Sequence, residues 1–148
     1  MSLTVEDRLA IQELHARYAY AFDGADAEAW VAVFAADGRF APPGLEPVIG
    51  HAALREFVTA RSQEAPGMRH LIVNITVEAE GDHARGKAYF LALRIGGDGQ
   101  FRMRNFGRYD DVFVRVDGGW RIASRDVVAE LPVDLVDAPF AFGTVVAS

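Results

Sequence analysis

Asp23 and His70 are the residues of this chain whose types and settings point to acid–base chemistry. Asp23 closes a run in which Ile11, Leu14, Tyr18 and Phe22 recur at spacings of three and four, the signature of one helix face. A carboxylate in the last turn of a helix faces the negative end of the helix dipole, so it gains from a cationic or hydrogen-donating partner. His70 opens the strand-like run Arg69-His70-Leu71-Ile72-Val73-Asn74. Histidine changes charge close to neutral pH, which suits it to general-base work. If the two meet, the carboxylate holds one ring nitrogen as a donor and leaves the other free to accept a substrate proton. Each residue also has a plain structural reading. Asp23 could be a solvated acid or a cap beside Gly24, and His70 a hydrogen-bonded core or surface histidine.

A wall for such a site is visible in Phe101-Arg102-Met103-Arg104-Asn105-Phe106-Gly107-Arg108-Tyr109. Strand alternation places Phe101, Met103, Asn105, Gly107 and Tyr109 on one face and Arg102, Arg104, Phe106 and Arg108 on the other. The first set is apolar with one amide and one phenol, as small-molecule pockets are. Ala88, Phe90 and Ala92 line the neighbouring strand, their small members leaving room for a ligand. Phe22, Phe90, Phe101, Met103, Asn105 and Tyr109 are therefore the candidate substrate-binding residues. A packed core face with a buried tyrosine predicts the same pattern. Asn74 is a further candidate polar anchor, and Trp120 reads as core.

The elements that position these residues follow from caps and periods. Thr4 is the expected N-cap of the first helix, with Glu6 and Asp7 in its first turn, and Gly24 suits a left-handed stop. Asp26 caps a second helix from Ala27 to Phe34, ended by Asp37-Gly38. A short strand near Arg39–Ala41 leads through Pro42-Pro43-Gly44 to a third helix, about Ala52 to Gln63. The period then changes. Leu71 to Glu80, Ala84 to Ile95, Gln100 to Val116 and Trp120 to Ala129 read as four strands. Gly81-Asp82, Gly96-Gly97-Asp98-Gly99 and Asp117-Gly118-Gly119 form the turns between them. Helices followed by an antiparallel meander give an α+β class: three N-terminal helices packed on a strongly curved, mainly antiparallel sheet, a cone-shaped α+β barrel. The apolar tail from Leu131 to Ser148, with Pro139, Phe140 and Phe142, is expected to pack on the pocket mouth or on a neighbouring subunit.

Composition narrows the function classes. At 148 residues with net charge −6, the chain reads as a single domain and lacks the concentrated positive charge that nucleic acid requires. Arg102, Arg104 and Arg108 read as one solvated face or an inter-subunit contact. The chain contains no cysteine, which removes disulfides, thiolate nucleophiles and cysteine-based zinc sites. No apolar run reaches the roughly 20 residues of a membrane span. The acidic N-terminus has no signal-peptide core, so a cytoplasmic location is expected. His15, His51, His70 and His83 lack metal-ligand spacing. No nucleophile elbow, phosphate loop or dinucleotide fingerprint occurs, so neither metal nor organic cofactor is expected.

The Asp23 and His70 frames, with Gly107-Arg108-Tyr109-Asp110-Asp111-Val112-Phe113, Asp117-Gly118-Gly119-Trp120-Arg121-Ile122 and Arg125, resemble the SnoaL-like branch of the nuclear transport factor 2-like superfamily over almost the whole chain. That branch includes scytalone dehydratase, a hexachlorocyclohexane dehydrochlorinase and a bile-acid dehydratase. The resemblance implies a cone-shaped pocket in which an Asp–His pair removes a proton, with Asp23 and His70 as that pair. It implies that Tyr18 protonates or holds oxygen, and that Arg125 steadies a leaving anion. Tyr18 is equally a core aromatic, and Arg125 could instead form an ion pair with Asp126 or Asp111. The Asp–Arg–Asp arrangement of the epoxide-hydrolase relatives is not evident.

Two functions stay open from the sequence. One is a cofactor-independent lyase or isomerase acting on a small hydrophobic, aromatic or polycyclic substrate. The other is a non-catalytic module, a hydrophobic-ligand binder or a structural subunit like the dioxygenase small subunit. A homo-oligomer, dimer or trimer, is expected because Leu91, Leu93 and Phe106 stand among arginines on the outer strand face.

Overall fold

The first helix begins as its sequence dictates. The Thr4 hydroxyl accepts from the Asp7 N–H at 3.1 Å, and the Asp7 carboxylate accepts from the Thr4 N–H at 3.0 Å, a reciprocal capping box. Asp7 also accepts from the Trp120 indole N–H at 3.0 Å and pairs with Arg115, which ties the helix start to the far end of the sheet. The Trp120 bond, with that from Thr4, holds the Asp7 carboxyl down at about 2.

A computed structural model describes residues 2–64 and 66–137. In chain order the elements are α1 (Val5–Asp23), α2 (Ala27–Ala32), β1 (Phe34–Ala41), β2 (Val48–Ile49), α3 (His51–Glu64), β3 (Met68–Glu80), β4 (His83–Ile95), β5 (Phe101–Val116) and β6 (Gly119–Ala129). A turn of 3-10 helix follows at Val133–Leu135. The six strands form one curved, unclosed sheet in the order β2-β1-β6-β5-β4-β3. The last four are the expected meander, β1 pairs with β6 in parallel, and the other contacts are antiparallel. Helix α1 packs on β3 and β6, and α3 on β1. Ile11, Trp30, Phe34, Leu54, Phe113 and Ile122 are fully buried between the layers. Among the described residues no helix is long and apolar enough to cross a membrane.

Three local expectations are corrected. The left-handed residue after α1 is Ala25, with φ 55°, while Gly24 has φ −87°. The second helix stops at Ala32, and the strand begins at Phe34 rather than near Arg39. There tertiary pairing overrides local preference: Phe34 aligns with Ile122, whose N–H donates to the Val33 carbonyl at 2.9 Å. Asp37-Gly38 lies inside the strand, at the irregularity between Phe34 and Arg39. A Cβ on Gly38 would come within 2.8 Å of the Ala35 carbonyl oxygen.

The third correction changes the site. Ala92 faces Asn105 while Leu93 faces Met103, so β5 carries one extra residue at Arg104. Such a bulge inverts the alternation beyond it. Phe101 and Met103 consequently pair with Ile95 and Leu93, on the opposite face from Tyr109. A second bulge in β3, between Val73 and Thr76, contains Asn74 at φ 53°. Asn74 is exposed and bends the strand; it is not a polar anchor of the site. The described start of the tail runs beside β5, with the Glu130 N–H on the Phe106 carbonyl at 2.7 Å and the Asp137 N–H on that of Met103 at 2.9 Å. Pro139, Phe140 and Phe142 lie outside the described residues.

Candidate active site

Asp23 and His70 meet. The last turn of α1 delivers the carboxylate to the outer edge of β3, which is an edge strand of the sheet. One carboxylate oxygen accepts the His70 backbone N–H at 2.8 Å and the other lies 2.7 Å from Nδ1. The backbone bond matters as much as the ring bond. It satisfies an amide of the open edge strand and fixes the carboxylate, so the imidazole meets an acceptor that cannot swing away. An ionised carboxylate only accepts, so Nδ1 carries the proton and Nε2 is left as the acceptor. Both side chains are nearly enclosed, 10% and 11% exposed. The imidazole stands edge-on to two aromatic rings, Phe22 at 4.8 Å and Tyr18 at 6.4 Å between centroids.

His70 forms part of two concavities. The outer one is a groove of about 630 Å³ between α1 and β3, lined among others by Gln12, Ala16, Tyr20, Arg69 and Ile75, and Asp23 opens onto it. The inner one is a cavity of about 310 Å³ inside the cone. Its lining includes Tyr18, Phe22, His70, Phe90, Asn105 and Tyr109 from the expected set. Asp23 occupies the Nδ1 side of the ring, and the inner cavity, smaller than the groove, brings His70 together with most of the expected wall residues.

Phe101 and Met103 are not in this lining. The bulge turns them outward, and Phe101 is 46% exposed. Phe40, Phe57, Met68 and Val127 take part instead, as does Arg104, which simple alternation assigned to the opposite face. Phe40 and Phe57 come from the segments before and within the third helix, which carry no period that singles them out. Asn105 sits in the wall with its Oδ1 accepting from the Phe106 N–H at 2.9 Å.

Arg125 does not line the cavity; it is fully buried behind it. Two of its N–H groups donate to the Asp111 carboxylate, both at 2.8 Å, and Nη2 also reaches His15 Nδ1 at 2.8 Å. The structural ion pair with Asp111 is therefore formed, while Asp126 pairs with Arg39. The guanidinium carbon lies 4.3 Å from the Tyr18 ring centroid and 4.0 Å from that of Tyr109. A cation between two aromatic faces is favourable, the more so when water is excluded. Burial pushes both phenols up, Tyr109 the further, with Arg125 opposing the shift. Both tyrosines are thus neutral donors at the back of the cavity. Burial, then the neighbouring guanidinium, drives His15 down to about 2, so its ring is neutral. Sequence reasoning named Asp111 only as a partner for Arg125 and gave His15 no role. The signals were present: His15 shares the helix face of Tyr18 and Phe22, and Asp111 is two residues beyond Tyr109. Among the described residues no group of three His, Cys, Asp or Glu side chains could hold a metal ion.

Comparison with known proteins places the fold. An uncharacterised Mycobacterium tuberculosis protein, Rv2910c, is 29% identical over 123 residues, covering 82% of this chain and 84% of its own. The solved structure of a variant of Rv3472, a protein of unknown function from the same organism, superposes with a TM-score of 0.81 at 31% identity, covering 88% of this chain and 80% of that one. An NTF2-like protein with a cystatin-like fold from Novosphingobium aromaticivorans gives 0.74 at 33% identity, over 82% and 80%. The model of the SnoaL-like domain matches residues 3–126, and the chain belongs to the SnoaL-like family.

Proposed function

We propose that this protein is a cofactor-independent lyase or isomerase in which His70 is the general base and Asp23 its orienting partner. One observation carries the reading: the histidine is held by ring and backbone on one carboxylate, and it lines a cavity walled on one side by Tyr18, Phe22, Phe40, Phe57, Phe90 and Tyr109. His70 Nε2 takes a proton from carbon or hydroxyl, and the electron pair stays on the substrate. Asp23 stabilises the imidazolium that forms. Tyr18 donates to the oxygen that gains negative charge, and Arg125 acts from behind through the tyrosine rings rather than by touching the leaving group. Dehydration, another β-elimination and a double-bond shift all fit this machinery.

The family includes enzymes, and structural neighbours provisionally named as dehydratases, at 21% and 15% identity, share the fold. The cavity volume and its phenylalanines suit a small aromatic or bicyclic substrate. The test is a screen of elimination and isomerisation substrates with a His70→Ala control. Turnover that survives in that variant at the wild-type rate removes the His70 base assignment, and wild type that binds these compounds but turns none of them over leaves the ligand-binding module as the better reading.

The outer sheet face carries Leu71, Val73, Tyr89, Ile95 and Phe101, each more than 40% exposed. Such a patch marks association, and we propose that it pairs with a second copy of the chain. Light scattering that shows a monomer at micromolar concentration removes this proposal.

A further inference from the structure

The β5 bulge does more than turn two residues outward: it sets an arginine into the wall of the cavity. Arg104 joins Arg61, Glu64 and Met68 in the lining. Its anionic partner comes from elsewhere. Asp137, at the end of the described tail, pairs with it and is brought there by its own N–H on the Met103 carbonyl. One Asp137 oxygen bonds Arg104, while the other, Oδ1, is buried with no hydrogen-bond partner among the described residues. Both partners are well exposed, Arg104 by 35% and Asp137 by 42%, and an exposed ion pair of this kind contributes little, so the internal partner is weakly held. A carboxylate presented from inside the cavity can take the same guanidinium, since Arg104 lines that cavity.

We propose that Arg104 is a specificity-determining residue that binds an acidic group of the substrate, and that Asp137 is the internal carboxylate which that group displaces. The inference rests on the inner cavity being the substrate chamber. It makes the substrate amphipathic, with an apolar ring among Phe40, Phe57 and Phe90 and one carboxylate at Arg104. Arg61 adds a second guanidinium, held to Glu64 only by a 3.5 Å contact. Glu64 in the same lining limits the charge, favouring a monoanionic carboxylate over a phosphate.

Calorimetric titration of the full chain with 2-naphthoate and its neutral counterpart 2-naphthamide tests this without a known substrate. Wild type should prefer the acid by about threefold, modest because one ion pair replaces another. Asp137→Asn removes the competitor and should widen the preference by a further factor of about three to ten. Arg104→Gln should abolish the preference, and Arg104→Lys should keep part of it, which separates charge from a folding defect. An unchanged preference in Arg104→Gln overturns the proposal. So does an Asp137→Asn variant that gains nothing, or failure of both probes to bind. Turnover in the His70→Ala control judges the dyad separately, so either idea can fall while the other stands.

Discussion

Two histidine–carboxylate pairs each draw one member from α1, and their fates differ. His70 meets Asp23 at 2.7 Å and lines a cavity. His15 lies 3.8 Å from Asp111, 2% exposed, with Nδ1 taken by Arg125. The partner residue type is the same. Two things distinguish them: a ring nitrogen left free toward a cavity, and the cation that Arg125 adds to the inner cluster. The inner histidine is driven neutral and spends its lone pair on an arginine. The outer one is engaged through Nδ1 alone among the described residues. A histidine beside an acid is available to a partner only when one ring nitrogen is unspent and reaches a cavity.

The largest expected effect falls on the inner cluster and is one of stability. Asp111→Ala leaves Arg125 charged, buried and unpaired, and should cost about 3–5 kcal/mol in urea denaturation. A loss below about 1 kcal/mol would mean that the cluster is not the anchor described. The outer pair should instead lose activity. Asp23→Asn and His70→Ala should each lower kcat/KM at least about 100-fold, with the double variant little worse because the two act as one unit. Only a neutral ring accepts a proton, so wild-type kcat/KM should rise with pH to a plateau. A profile that falls with pH breaks the base assignment.

The third prediction concerns pH and stability. His15 titrates at about 2 when folded against 6.5 for the free side chain. The unfolded chain therefore binds a proton that the folded chain refuses. Stability is full above about 6.5 and declines as pH falls toward 2, by about 1.4 kcal/mol per pH unit for one proton. His15→Asn should flatten the melting temperature against pH over that window. An unaltered slope would show that the buried ring is not the source. The smallest effects belong to the wall. Tyr109→Phe should change substrate preference with less than about a tenfold rate loss. Phe101→Ser, on the outer face, should leave kcat/KM unchanged, whereas the original alternation required it to matter.

Much of this was legible before folding. The capping box at Thr4 and Asp7, the helix face through Tyr18 and Phe22 and the turns of the meander are all local. They are decided by spacings of a few residues, where backbone geometry and side-chain chemistry act directly. Asp23 and His70 stand out chiefly by their resemblance to the SnoaL-like frames, with residue type and helix position adding less. The face of β5 was misread because a bulge is a property of two strands. Nothing in Phe101–Tyr109 alone says that Ala92 and Leu93 will face residues two apart. The start of β1 was missed for the same reason, since its partner Ile122 lies far along the chain.

The sequence by itself determined the helical and strand periods, the absence of thiol chemistry and the presence of one acid and one histidine in suggestive frames. Only the tertiary structure decided which histidine keeps a free nitrogen, which arginine is sealed behind the tyrosines and which one enters the cavity wall. Those outcomes depend on burial and on partners up to 110 residues apart. Electrostatic strength and solvent access are set by what surrounds a group once the chain has closed on itself, and no local window of sequence contains that information.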